Sequence, residues 1–376
     1  MKKMLTLACL LLPIYFFAQQ HYLIVGTYTD ASKSEGIYVY KFNSANGSAT
    51  PVSVIKASNP SYLCVSPDQQ FIYAVNESAD STIGYVGGWV SSYSFNASNG
   101  RLTEISQQQS GGKHPCYVSV DKTGAWVTVG NYSSGTIGLF STNNNGVLKP
   151  ASQIIQHSGK SVNAQRQEGP HVHSNIFSAD NRYLFVPDLG IDKIMHYSFD
   201  AAAGKLTAAT QPFSESAAGS GPRHFEFHPN NKFAYLMEEM TGTVKAFTYH
   251  NGQLKQLQTI SSHPADYTGA KGSADIHVSP DGKFLYCSNR GESNTIAIFS
   301  VNRKTGKLKA IGYQSVLGKT PRNFNFDPTG NYLLVGNQNS DEIVIFKRDT
   351  KTGLLTDSGQ RITVGKPVCL KWVTVQ

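Results

Sequence analysis

Four residues of this chain, His173, Arg223, Glu239 and Arg290, carry side chains that together could move a proton and hold an anion. An imidazole titrates near neutrality and a carboxylate can accept a proton from water, so either serves as a general base. A guanidinium stays charged at working pH, and its planar fork suits a carboxylate or a phosphate. Arg322, Glu77, Asn131, His171 and His224 stand at or beside equivalent places in the chain and are candidate substrate contacts. Charges gathered in one place could simply pair and staple neighbouring parts of the fold together. Here the arginines, Arg223, Arg290 and Arg322, outnumber the nearest carboxylates, Glu77 and Glu239. A buried charge without a partner is costly, so the surplus points to an anionic ligand. His171-Val172-His173 sets two imidazoles on alternate residues, but no third ligand falls at a fixed spacing, so no metal and no other cofactor is expected.

A sequence repeat brings these residues together. An apolar strand, a Pro/Asp/Gly turn and a second apolar strand ending in Asn or an acid recur along the chain. Examples are YLCVSPDQQFIYAVNE at 62–77, HFEFHPNNKFAYLMEE at 224–239 and DIHVSPDGKFLYCSNR at 275–290, with a half copy, YLIVGTY, at 22–28. The second strands end at Thr27, Asn76, Asn131, Asp188, Glu238, Asn289 and Asn337. A glycine turn recurs at Gly47, Gly100, Gly146, Gly204, Gly252, Gly306 and Gly353, with a mean interval of 51 residues. Seven such units account for the whole chain beyond residue 20. Short alternating apolar segments between turns predict four antiparallel strands per unit, near 274–279, 284–288, 295–300 and 308–313 in one copy. The predicted fold class is therefore all-β, a seven-bladed propeller in a single domain over 21–376. The tail KPVCLKWVTV at 366–375 resembles a first strand with no second strand after it, so it is expected to close the ring against the N-terminal half copy. In a propeller the start of each first strand and the end of each second strand meet on one face near the axis. That face collects Ser61, Cys116, His173, Arg223, Ala274, Arg322 and Val368 from the first strands. From the second it collects Tyr28, Glu77, Tyr132, Leu189, Glu239, Arg290 and Gln338.

Composition narrows the remaining choices. Hydrophobic residues make up 40% and charged residues 15%, which argues against disorder and a charged coiled coil. Lys and Arg exceed Asp and Glu by 33 to 25, but without a basic run, so nucleic acid is not expected as a partner. Lys2 and Lys3, the apolar stretch Met4–Phe17 and Ala18-Gln19-Gln20 read as a signal peptide over 1–20, which predicts export to a periplasm or the outside. No later segment is apolar enough to span a membrane. Cys64, Cys116, Cys287 and Cys369 show no paired spacing and read as buried free thiols. Walker A, dinucleotide-binding, G-x-S-x-G and H-E-x-x-H motifs are all absent.

The phrases GTYT (26–29), GPHVHS (169–174), GPRHFEFHP (221–229), VSPDGKFLYCSNRG (278–291) and PRNFNFDPTGNYLLVGNQ (321–338) resemble the seven-bladed lactonase family. That family holds the propeller-type 6-phosphogluconolactonases and the fungal 3-carboxy-cis,cis-muconate lactonizing enzyme. The resemblance implies metal-independent action on a small anionic lactone of a sugar acid or related carboxylate. It also implies catalytic roles for His173, Arg223, Glu239 and Arg290. Glu239 is the expected base, with a pKa raised by burial; His173 is the rival base or the acid, and Arg223 and Arg290 hold the anion and the oxyanion. A non-catalytic propeller binding an anionic ligand or a protein on the same face is the alternative. A calcium-dependent lactonase is a third reading, which would need Glu77, Asn131 and Asp188 to converge.

Overall fold

The computed structural model describes residues 20–82 and 84–375. The expected leader lies, but for Gln20, outside the described residues. The described residues form seven four-stranded antiparallel sheets, and their one helical element is a 3-10 turn, Gln338–Ser340. No helix among them is long and apolar enough to cross a membrane. In the blade cited above the strands run Ser273–Val278, Phe284–Asn289, Thr295–Val301 and Leu308–Ser315, each within two residues of the expectation.

Both chain ends build one blade. Pro367–Val375 pairs antiparallel with Gln20–Thr27, from Gln20 opposite Val375 to Thr27 opposite Pro367, and the N-terminal segment supplies the other three strands. The ring therefore closes through a full ladder, and no blade edge is left open at the junction.

The recurring glycine has a packing role. Each sits in a turn between the two outer strands and lies against an aromatic ring of the preceding blade. Gly204 has φ +60 and a Cβ there would fall 1.8 Å from the Trp126 ring; Gly47 stands in the same way on Tyr332 and so joins the first blade to the last. Only a residue without a Cβ fits both that φ and that contact. Trp126 Nε1 also donates to the Ala201 carbonyl, 2.9 Å away. Trp126 is thus an inter-blade packing residue. Glutamines on the outer strands add a second tie. Gln153, Gln211 and Gln258 each use both ends of the amide on the backbone of the next blade's Leu206, Leu254 and Leu308. Between blades, alternate strand residues pack into shared cores such as Tyr235, Met237, Leu285, Cys287 and Phe299, all fully buried. Burying each such side chain is worth about 1.5–3 kcal/mol. The four cysteines among the described residues are free thiols; Cys116, Cys287 and Cys369 are buried and Cys64 only half-buried.

Candidate active site

The innermost strands deliver charged residues to the axis by breaking register at one place. Pro222 pairs with Glu238 and His224 with Met237, so Arg223 between them has no partner. Arg322 is skipped in the same way between Pro321 and Asn323, and Cys116 between Pro115 and Tyr117. In the fourth blade Val172 bridges to Asp188 and pairing resumes only at Ile176, which leaves His173 on the interruption. A bulged residue is freed from the strand's alternation and its side chain is re-aimed. The residue that follows the second strand supplies the complementary ring with Tyr28, Tyr132, Glu239 and Arg290, and Glu77 joins them from the irregularity between Asn76 and Asp80 within Phe71–Thr82.

Glu239 is the hub. Its Oε2 lies 3.0 Å from Arg223 Nε and 3.1 Å from Arg290 Nη2, and its Oε1 lies 2.8 Å from Arg166 Nη2. His173 Nε2 stands 3.9 Å from Oε2. The four residues implied as catalytic therefore meet in one place. Burial alone would raise the Glu239 pKa, but the guanidiniums, Arg290 and Arg223 foremost, hold it well below 4.5. This corrects the expectation that Glu239 is a base activated by burial: a carboxylate shared by three guanidiniums is a poor proton acceptor. His173 is neutral at pH 7. Burial, then the Arg223 charge, holds its pKa well below 6.5. Burial also lowers the Arg290 pKa, to about 10, so its guanidinium remains charged at neutral pH.

The arginines differ in what they have left to give. Arg223 spends Nε on Glu239 and Nη1 on His224 and the Ala274 carbonyl. Arg290 spends Nε on the Gly272 carbonyl and Nη2 on the Ser273 carbonyl and Glu239. Arg322 makes no hydrogen bond or ion pair among the described residues; its guanidinium lies over the Tyr28 ring, 5.3 Å from the centroid. Glu77 lies nearby with Oε2 taken up by Tyr28 Oη at 2.9 Å and Ser61 Oγ at 2.5 Å. Arg322 is thus the guanidinium with its whole fork available, whereas Arg223 and Arg290, expected to hold the anion, are largely committed to Glu239 and to carbonyls.

Three further expected substrate contacts are engaged by other protein groups. Asn131 is fully buried, and its Nδ2 donates to the Ser110 carbonyl and Thr136 Oγ1. Asn76, Asn289 and Asn337 make the matching bond to Ser58, Ser262 and Val316. Asn131 is therefore a repeat-wide clamp turned away from the axis, because the last residue of the second strand faces opposite to the one after it. His224 lies beneath Arg223, with Nδ1 on Asp275 at 2.7 Å and Nε2 on Arg223 at 3.1 Å, and it supports the pocket without lining it. His171 stacks on Tyr132 at 4.5 Å and bonds through Nδ1 to the Tyr132 carbonyl. Asp188 is consumed by the His171 and Gly190 amides and by His157. The convergence that a calcium site needs is therefore missing. Among the described residues no group of three or more His, Cys, Asp or Glu stands positioned to hold a metal ion.

Arg166 was not anticipated. It comes from the loop before His173, in the longest of the seven units, where 57 residues separate Asn131 from Asp188. That extra length was the only signal. Arg166 lines a cavity of about 480 Å³ together with Glu239, Lys271, Arg290 and Thr320.

Residues 22–372 match the family described as lactonase, 7-bladed beta-propeller. The chain belongs to this propeller lactonase family. A 6-phosphogluconolactonase of Formosa agariphila is 37% identical over 355 residues, covering 94% of this chain and 99% of that one. A 6-phosphogluconolactonase of Bacillus subtilis strain 168 is 36% identical over 352 residues, covering 93% and 97%. The solved structure of a Pseudomonas aeruginosa periplasmic gluconolactonase superposes with a TM-score of 0.89 at 40% identity, covering 95% of this chain and 100% of that one.

Proposed function

We propose that the chain hydrolyses a lactone of a sugar acid, without a metal, in the cationic pocket at the propeller axis. The observation that carries this is the Arg223–Glu239–Arg290 cluster with His173 Nε2 3.9 Å from Glu239, together with Arg322, which makes no hydrogen bond or ion pair among the described residues. A cavity of about 480 Å³ is within the size range of small-molecule sites, about 300–1,000 Å³. In this reading the lactone carbonyl accepts hydrogen bonds from Arg322 and from the uncommitted Nη2 of Arg223. The pair would stabilise the oxygen as it becomes negative. Water attacks the carbonyl carbon and gives its proton to His173; the ring C–O bond breaks, and His173 returns the proton to the departing ring oxygen. Glu239, 3.9 Å from His173 Nε2, stabilises the transient imidazolium and holds three arginines in place. Lys271 and Arg290, which line this cavity, suit a phosphate or a second anionic group on the far end of the sugar.

The relatives named as 6-phosphogluconolactonases and the periplasmic gluconolactonase support the substrate class. The export signal read over 1–20, with one propeller domain from 21, is part of the same proposal, and a periplasmic relative agrees with it. The test is the initial rate of glucono-δ-lactone and of its 6-phosphate above the spontaneous rate, by pH-stat, with and without a chelator. Turnover unchanged by the chelator is expected. Loss of turnover in the chelator, restored by calcium, would overturn the metal-free mechanism.

A further inference from the structure

The innermost strands of the fifth and sixth blades carry a line of charged groups that begins at Arg223 and runs away from the pocket. Arg223, His224 and Glu226 lie on Pro222–Phe227, and Asp275 and His277 lie on Ser273–Val278. The contacts run in series. Arg223 Nη1 meets His224 Nε2 at 3.1 Å, and His224 Nδ1 meets Asp275 Oδ1 at 2.7 Å. Asp275 Oδ2 meets His277 Nε2 at 3.1 Å, and His277 Nδ1 meets Glu226 Oε2 at 2.6 Å. Asp275 also accepts from Asn323 Nδ2 and from the amides of Ile276 and Phe324. The groups facing His277 are Asp275 on its own strand, Glu226 on the neighbouring strand and the edge of Phe324 on the next, 5.0 Å away.

Donor and acceptor chemistry fixes every proton in this line. Arg223 has only hydrogens to offer, so His224 Nε2 must present its lone pair. The His224 proton is then on Nδ1 and goes to Asp275. His277 stands between two carboxylates and must donate from both nitrogens, which makes it an imidazolium. A neutral His224 with this tautomer is the only form that accepts from Arg223; the other tautomer, or the protonated ring, would set N–H against N–H and push the guanidinium away from Glu239.

We propose that Glu226, His277 and Asp275 are positioning residues that lock the His224 tautomer and so aim Arg223 at the substrate carbonyl. This rests on the lactonase reading of the pocket for its kinetic consequence, but the tautomer lock does not depend on that reading. Inverting the carboxylate to an amide in a comparable His-orienting role costs up to about 10⁴-fold when the histidine itself is the base. Here the effect passes through Arg223, which is displaced but not removed, so Asp275→Asn should lower kcat by roughly 10–100-fold, less than the about 10²–10³-fold of losing an oxyanion donor outright. KM should change less than kcat.

Two measurements on the full chain test the proposal. Nitrogen-15 histidine spectra at pH 8 should show His277 protonated on both nitrogens and His224 only on Nδ1, with the His224 tautomer altered in Asp275→Asn. In parallel, His224→Gln, whose amide can still accept from Arg223 and donate to Asp275, should recover most of the kcat lost in His224→Leu. A neutral His277, or a wild-type His224 proton on Nε2, overturns the lock whatever the kinetics. Equal kcat for folded His224→Gln and His224→Leu overturns the aiming of Arg223. The expected spectra in a protein that turns over no lactone would leave the lock standing and refute the function proposed for the pocket.

Discussion

Replacing Glu239 with Gln keeps the shape of the hub and removes its charge. In the wild type one carboxylate, only 8% exposed, serves Arg223 at 1% exposure, Arg290 at 16% and Arg166 at 44%. Arg166 is too exposed to contribute much. The cost comes from leaving the guanidiniums of Arg223 and Arg290 buried without their counter-charge, and breaking such a pair from one side costs about 3–5 kcal/mol. Unfolding entropy near 2.1 cal/mol/K per residue over roughly 350 residues gives about 0.7 kcal/mol per degree. The expected fall in Tm is therefore about 4–7 °C in dilute chloride buffer. Added phosphate or gluconate should recover part of it, since an anion in the pocket replaces the missing charge. Calorimetric scans of the two proteins, with and without the anion, make the measurement. A Glu239→Gln protein that melts within a degree of the wild type would refute the view of Glu239 as the counter-charge of the cluster.

Other consequences are separable from this one. Asn131→Ala should destabilise by about 1–3 kcal/mol, the cost of leaving the Ser110 carbonyl unpaired, while KM for a lactone stays unchanged; a raised KM would return Asn131 to the pocket. Although burial acts to lower the His277 pKa, Asp275 and Glu226 raise it from 6.5 to about 10. The stabilisation from this pairing is therefore complete below pH 6.5 and lost as pH rises through about 10. At 1.36 kcal/mol per pH unit it is worth at most about 5 kcal/mol. In a His277→Gln protein the fall in stability between pH 7 and 10 should be smaller, which urea melts across that range would show. Deleting residues 367–376 removes the innermost strand of the closing blade and should give an aggregating protein by light scattering, because Gln20–Thr27 becomes an open edge.

The repeat made most of this fold legible. A 51-residue period, a corner turn and a glycine that turns out to seat an aromatic ring identify the blades without reference to any contact. Aligning the repeats also put His173, Arg223, Glu239 and Arg290 on one face, since equivalent positions in a propeller are equivalent in space. The alignment could not give direction at a bulge. Asn131 and Tyr132 are adjacent in sequence, yet Asn131 turns into the blade contact and Tyr132 packs against His171 and His173 at the site. Nor could it give the state of Glu239, which depends on how closely the Arg223 and Arg290 guanidiniums approach its carboxylate. The availability of Arg322 was equally hidden, because a free guanidinium and a paired one look the same in sequence.

The central claim is that Arg322, the unpaired fork, and neutral His173 perform lactone hydrolysis together. It is tested most directly by pH-stat turnover of glucono-δ-lactone and its 6-phosphate by the wild type, Arg322→Gln and His173→Gln, each shown folded by its Tm. The account predicts enzymatic turnover by the wild type and a fall in kcat of about 10²–10³ for Arg322→Gln and about 10²–10⁴ for His173→Gln. Wild-type rates no faster than the spontaneous reaction, or full activity in either variant, would contradict it.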